Sequence, residues 1–86
     1  MTINQHLDNV FYDAAKRFED DAKGVLYNYK FYNSNIMCPE LIASGAGYII
    51  GVRYDRGLDC NVYTLEDATT KERYTGNQFR FGLERR

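Results

Sequence analysis

The sequence predicts an α+β fold: an N-terminal α-helix packed on a four- to five-stranded antiparallel sheet, which either stays open beneath the helix or curls into a small SH3-like barrel. Three observations lead there. Residues 3–23 carry one stretch with a 3.6-residue apolar period. From Val25 onward the period drops to two. The period-two segments are separated by turn residues and not by long connections. With 86 residues the chain makes a single domain, 1–86. Its 44% hydrophobic and 27% charged residues exclude a disordered tail or a fibrous repeat. A domain of this size buries only about 60% of the surface its unfolded chain exposes, so it needs an efficient core. Eight Tyr and five Phe supply one.

The helix comes first. Thr2 is placed as N-cap, and Gln5 completes a capping box. Ile3, Leu7, Val10, Phe11, Ala14, Ala15, Phe18 and Ala22 fall on one apolar arc of about 140°. Asp13–Arg17 and Glu19–Lys23 are acid-before-base pairs at i,i+4, and Gly24 stands where a left-handed residue ends a helix. The first strand is expected over 25–32, where Val25, Tyr27, Tyr29 and Phe31 alternate with Leu26, Asn28, Lys30 and Tyr32. Asn33-Ser34-Asn35 breaks it. Residues 36–47 read either as an irregular loop or as a short helix begun by Pro39 and ended by Gly45. Further strands are expected over 48–54, 60–66, 71–75 and 78–81, with turns at Asp55-Arg56-Gly57, at Asp67–Thr70 and at Gly76-Asn77.

The chemistry-bearing residues are sparse. The one histidine, His6, sits at the edge of the apolar arc without an orienting partner. Cys38, next to Pro39 at the start of the short helix, has one feature that lowers a thiol pKa, a common arrangement that does not by itself make a nucleophile. Two cysteines, Cys38 and Cys60, are too few for a disulfide scaffold or a zinc site and read as reduced thiols of a cytoplasmic protein. Gly45-Ala46-Gly47 lacks the Lys-Ser/Thr of a phosphate loop and reads as a connector. The expectation is a protein with no catalytic residues, no metal and no cofactor. The start of the chain lacks a basic, apolar leader, and no run reaches the ~18 apolar residues of a membrane span.

Binding is the alternative to chemistry. Tyr12 falls opposite the apolar arc, with Lys16 beside it. Tyr32 shares a strand face with Asn28 and Lys30, and Arg53 and Arg56 fall on a polar face and a turn. Exposed Tyr and Arg are the residue types enriched in binding hot spots, so Tyr12, Lys16, Tyr32, Arg53 and Arg56 are the candidate contacts for a protein partner. Open edge strands can also pair with a second copy, giving a homodimer.

Nucleic acid ranks second as a partner. Residues 71–86 carry five bases, Lys71, Arg73, Arg80, Arg85 and Arg86, against two acids. A small barrel with such a basic end and stacking aromatics could hold a single strand. Alternation, however, points Phe79 and Phe81 into the core and Arg80 outward, and a net charge of −1 weakens the case. Rich in Tyr and Asn and nearly free of Pro, the composition resembles that of many small accessory proteins of bacteriophages and mobile elements. The resemblance rests on composition, covers no motif and transfers no residues. It implies stoichiometric action, in which the protein occupies the surface of a host protein and inhibits or modulates it.

Overall fold

The structure, a computed structural model, describes residues 3–33 and 37–86, with residues 3–9 as backbone only. The Thr2 cap, its Gln5 partner, the His6 side chain and the Ser34-Asn35 turn lie outside the described residues. One helix, α1 (Ile3–Ala22), precedes five strands: β1 (Leu26–Tyr32), β2 (Leu41–Asp55), β3 (Cys60–Asp67), β4 (Arg73–Asn77) and β5 (Phe81–Arg85). A single 3-10 turn, Gln78–Arg80, separates β4 from β5. All ladders are antiparallel, and the sheet order is β4-β3-β2-β1-β5. Its edge strands β4 and β5 share no ladder. The sheet is therefore open, and of the two expected forms the closed SH3-like barrel is not the one adopted.

Beyond Pro39 and Glu40, the expected short helix or irregular loop is strand. β2 starts at Leu41 and runs for 15 residues. The reason lies in its partner. Tyr27, Tyr29 and Phe31 of β1 stand opposite Gly47, Gly45 and Ala43. Each large ring on one strand faces a small residue on the next, so the Gly-rich segment is a strand shaped to seat aromatics and not a connector. The fit is tight. A Cβ at Gly47 would lie 2.5 Å from the Glu66 carbonyl oxygen and 2.9 Å from a Leu65 methyl. A Cβ at Gly45 would lie 3.0 Å from an Asp67 carboxylate oxygen and 3.5 Å from the Tyr29 ring.

β2 also bends the sheet. Leu41–Tyr48 pairs with β1 and Gly47–Asp55 with β3, so the two ladders overlap only at Gly47 and Tyr48. A bulge between Ile49 and Gly51 adds local twist. The β1–β5 half and the β3–β4 half then face one another. Phe31 lies 5.4 Å from Tyr74, and Phe81 lies 5.9 Å from Tyr63, between strands that are not neighbours in the sheet. These rings, with Tyr29, Ile49, Leu65 and Ala22, form the core.

Beyond Tyr48, β2 has no strand on the β1 side, and α1 takes that place. Glu19 accepts a hydrogen bond from the Val52 amide at 3.1 Å, Phe18 stacks on Tyr63 at 5.3 Å and Phe11 on Tyr54 at 4.9 Å. The buried side of the helix runs through Ala15 and Ala22, whereas Val10 and Ala14, expected in the core, are exposed. The apolar arc is wider than the surface the sheet offers it. Gly24, at φ +76°, ends the helix and turns the chain into β1.

Candidate interaction surface

The 3-10 turn decides what is exposed at one end of the sheet. Asn77 caps it, its side-chain oxygen accepting from the Phe79 amide at 3.0 Å. A tight turn at Gln78–Arg80 breaks the period of two, so Phe79 and Phe81 no longer share a face. Phe81 enters the core, but Phe79 is 77% exposed. The expectation that both point inward fails for this reason, and Phe79 needs another explanation than packing.

Arg80 also departs from its expected outward position. β5 begins only at Phe81, opposite Phe31, so the Tyr32 carbonyl has no strand partner there. Arg80 Nε donates to it at 3.0 Å. The guanidinium sits 4.5 Å from the centre of the Phe31 ring, and the side chain lies against Gly76. Arg80 fastens the 3-10 turn to the end of β1 instead of facing solvent.

That fastening sets the turn against the end of β1, whose other side pairs with the start of β2. Tyr32 pairs with Leu41, and Asn33 holds Glu40 through two hydrogen bonds, Asn33 N to Glu40 O at 2.9 Å and Glu40 N to Asn33 Oδ1 at 3.2 Å. Leu41 and Ile42 are each just over half exposed, and Met37 is 89% exposed. Met37, Leu41, Ile42 and Phe79 are thus exposed apolar side chains on the segments that flank the end of β1, with half-buried Tyr32 between Leu41 and the turn. Of these, only Tyr32 was identified by the sequence reading. The signal for the others was present: Leu41-Ile42 just after Pro39, and an Asn before Phe79 able to cap a turn.

The other expected protein contacts lie at the far end of β2. Tyr12 is not opposite the docking face; its ring meets Tyr54 edge-on at 5.5 Å, leaving it 47% exposed. Lys16 is exposed on the same helix. Arg53 pairs with Asp55 at 3.2 Å, and Arg56 is exposed in the β2–β3 turn. The Leu58 amide, first, and Arg53 hold the Asp55 carboxyl below its usual range. Tyr12, Arg53 and Arg56 therefore lie towards the end of the long strand and Tyr32 opposite its start.

The basic residues are likewise spread over three places. Lys71 and Arg73 belong to the β3–β4 turn and the start of β4, with Arg73 3.8 Å from Glu66. Arg80 lies on Phe31. Arg85 and Arg86 close the β5 side, where Arg86 Nε donates to Asn28 Oδ1 at 2.8 Å.

Among the described residues, Asp67 is the buried charged side chain. Asp67 accepts from the Tyr29 hydroxyl at 2.6 Å and from the amides of Thr69 and Thr70 at 2.8 and 2.9 Å. These bonds, the Tyr29 hydroxyl foremost, lower its pKa. Burial, then Asp67, raises that of Tyr29. Every contact serves the turn and the core, and Lys71 at φ +65° completes the same turn. Cys60 is buried and Cys38 exposed, and they are not bonded to each other. Cys38 precedes an extended segment, not the short helix expected there. Among the described residues, no group of three His, Cys, Asp or Glu is placed to hold a metal ion, and no helix is long and apolar enough to cross a membrane.

No protein-family model matches the chain, and no curated protein or solved structure is significantly similar to it.

Proposed function

We propose that the chain is a non-catalytic protein-binding domain that acts by occupying a surface of another protein through Met37, Leu41, Ile42 and Phe79. The observation that carries this reading is Phe79. Its neighbour Phe81 fills the core position, so a 77%-exposed ring is carried on a capped, fastened turn at the cost of leaving its apolar area in water. Large apolar side chains grouped on a rigid support are the make-up of interaction sites. The pre-set turn lowers the entropy lost on binding. Occupying a partner's surface modulates that partner by exclusion, which agrees with the stoichiometric action implied by the composition.

Affinity capture from the native host cell tests the reading, run in parallel with the wild-type chain and with the Phe79→Asp and Tyr12→Ala variants. The expected result is a protein retained by wild type and by Tyr12→Ala but lost with Phe79→Asp. Retention by all three, or capture of nucleic acid alone, would refute it.

A further inference from the structure

The outer edge of β5 presents a matched set of backbone groups. Arg86 N donates to Leu26 O of β1 at 3.1 Å. With the strand period of two, this turns the backbone groups of Gly82, Glu84 and Arg86 toward β1 and those of Phe81, Leu83 and Arg85 off the sheet. The Phe81 amide is already used by Gln78 O. What remains along the edge is the amide and carbonyl of Leu83, the amide and carbonyl of Arg85, and the carbonyl of Phe81. The run Phe81–Arg85 holds no proline, and its register with β1 has no bulge. Neither a proline nor a bulge blunts this edge; its charged side chains are Glu84 and Arg85.

We propose that β5 pairs antiparallel with β5 of a second copy across a two-fold axis at Leu83. The Leu83 amide of each copy then donates to the Leu83 carbonyl of the other, and each Arg85 amide to the other copy's Phe81 carbonyl, which uses every free donor on the edge. Side chains support the same register. On the outer face, Glu84 of the second copy comes beside Gly82, whose own β1 neighbour is Lys30. Gly82 has no side chain, and a Cβ there would meet the Lys30 Cβ only at 3.8 Å. Lys30 and the second copy's Glu84 are two strand spacings apart, about 10 Å, within the joint reach of the two side chains across the open glycine. The axis repeats this pair. On the inner face, half-buried Leu83 meets its own copy. Isologous pairing of this kind closes at two chains.

Sedimentation equilibrium of the full chain over a range of concentrations tests the proposal. The wild type is expected to show a monomer–dimer equilibrium. Leu83→Pro removes an amide that faces off the sheet and so takes no bond from the fold; it is expected to weaken dimerisation at least about tenfold. Lys30→Glu is expected to weaken it too, and Lys30→Glu combined with Glu84→Lys to restore it. Should Leu83→Pro fail to fold by circular dichroism, the charge-swap pair decides. A wild type that stays monomeric at millimolar concentration, assemblies larger than two, a folded Leu83→Pro that dimerises as well as wild type, or a swap that does not restore pairing would each overturn it.

Discussion

At Arg80 three contacts meet: the Tyr32 carbonyl, the face of Phe31 and the bare backbone of Gly76. The first two are worth about 1.5–3 and 0.5–1 kcal/mol in comparable settings. Arg80→Ala is expected to destabilise the fold by about 2 kcal/mol, read from the urea midpoint at unchanged m value. Arg80→Lys should recover only part of this, because an ammonium lacks the planar group that stacks on the ring. Asp67 and Tyr29 give a pH signature. The folded-state pKa of Asp67 lies below its unfolded value, so its contribution is complete above pH ~4. It is lost as pH falls through the folded value. Tyr29, shifted upward, contributes below pH ~10 and loses its part as pH rises. Denaturant midpoints across pH should therefore fall more steeply below pH 4 in wild type than in Tyr29→Phe. At this scale the sequence is readable where alternation holds, as at Tyr29, Phe31 and Phe81, and misleading at Phe79, where a three-residue turn inverts it.

Among the elements, α1 serves partly as a substitute strand. It covers the edge of β2 that β1 leaves open, and Glu19 supplies the acceptor a strand would have given the Val52 amide. Glu19→Ala leaves that amide without its partner, at a cost of about 1–3 kcal/mol. The expected outcome is a lower urea midpoint and faster hydrogen exchange at Val52, with Glu19→Gln keeping most of the protection. The helix itself was evident from its period. Its docking rotation was not, because the apolar arc offers more surface than the sheet can cover and only tertiary contact selects the Phe11–Ala15–Phe18–Ala22 side. β2 was half hidden for a different reason. Ala43, Gly45 and Gly47 have low strand propensity taken alone and become strand residues because Phe31, Tyr29 and Tyr27 lie across from them.

For the whole molecule, the bend in β2 sets the outcome. It folds one half of the sheet against the other, lets Phe31 meet Tyr74 and Phe81 meet Tyr63, and lets the 3-10 turn bond both to Asn61 of β3 and to Tyr32 at the end of β1. The α+β class and the β1–β2–β3–β4 run of adjacent antiparallel strands follow from the switch of period at Val25, whereas the return of β5 to β1 does not. The site did not, since its residues come from the 37–42 segment and from residue 79, and the local signals at each do not record that Arg80 fastens the turn to the end of β1. The most direct test of the account is the affinity of the captured partner for the Phe79→Ala variant, measured by calorimetry alongside thermal unfolding of the variant. The prediction is a loss of about 2 kcal/mol or more, roughly thirtyfold in Kd, with the unfolding midpoint within a few degrees of wild type, because the ring takes no part in the core. Unchanged affinity at an unchanged midpoint would contradict the account, as would a partner that proves to be single-stranded nucleic acid bound with a steep salt dependence.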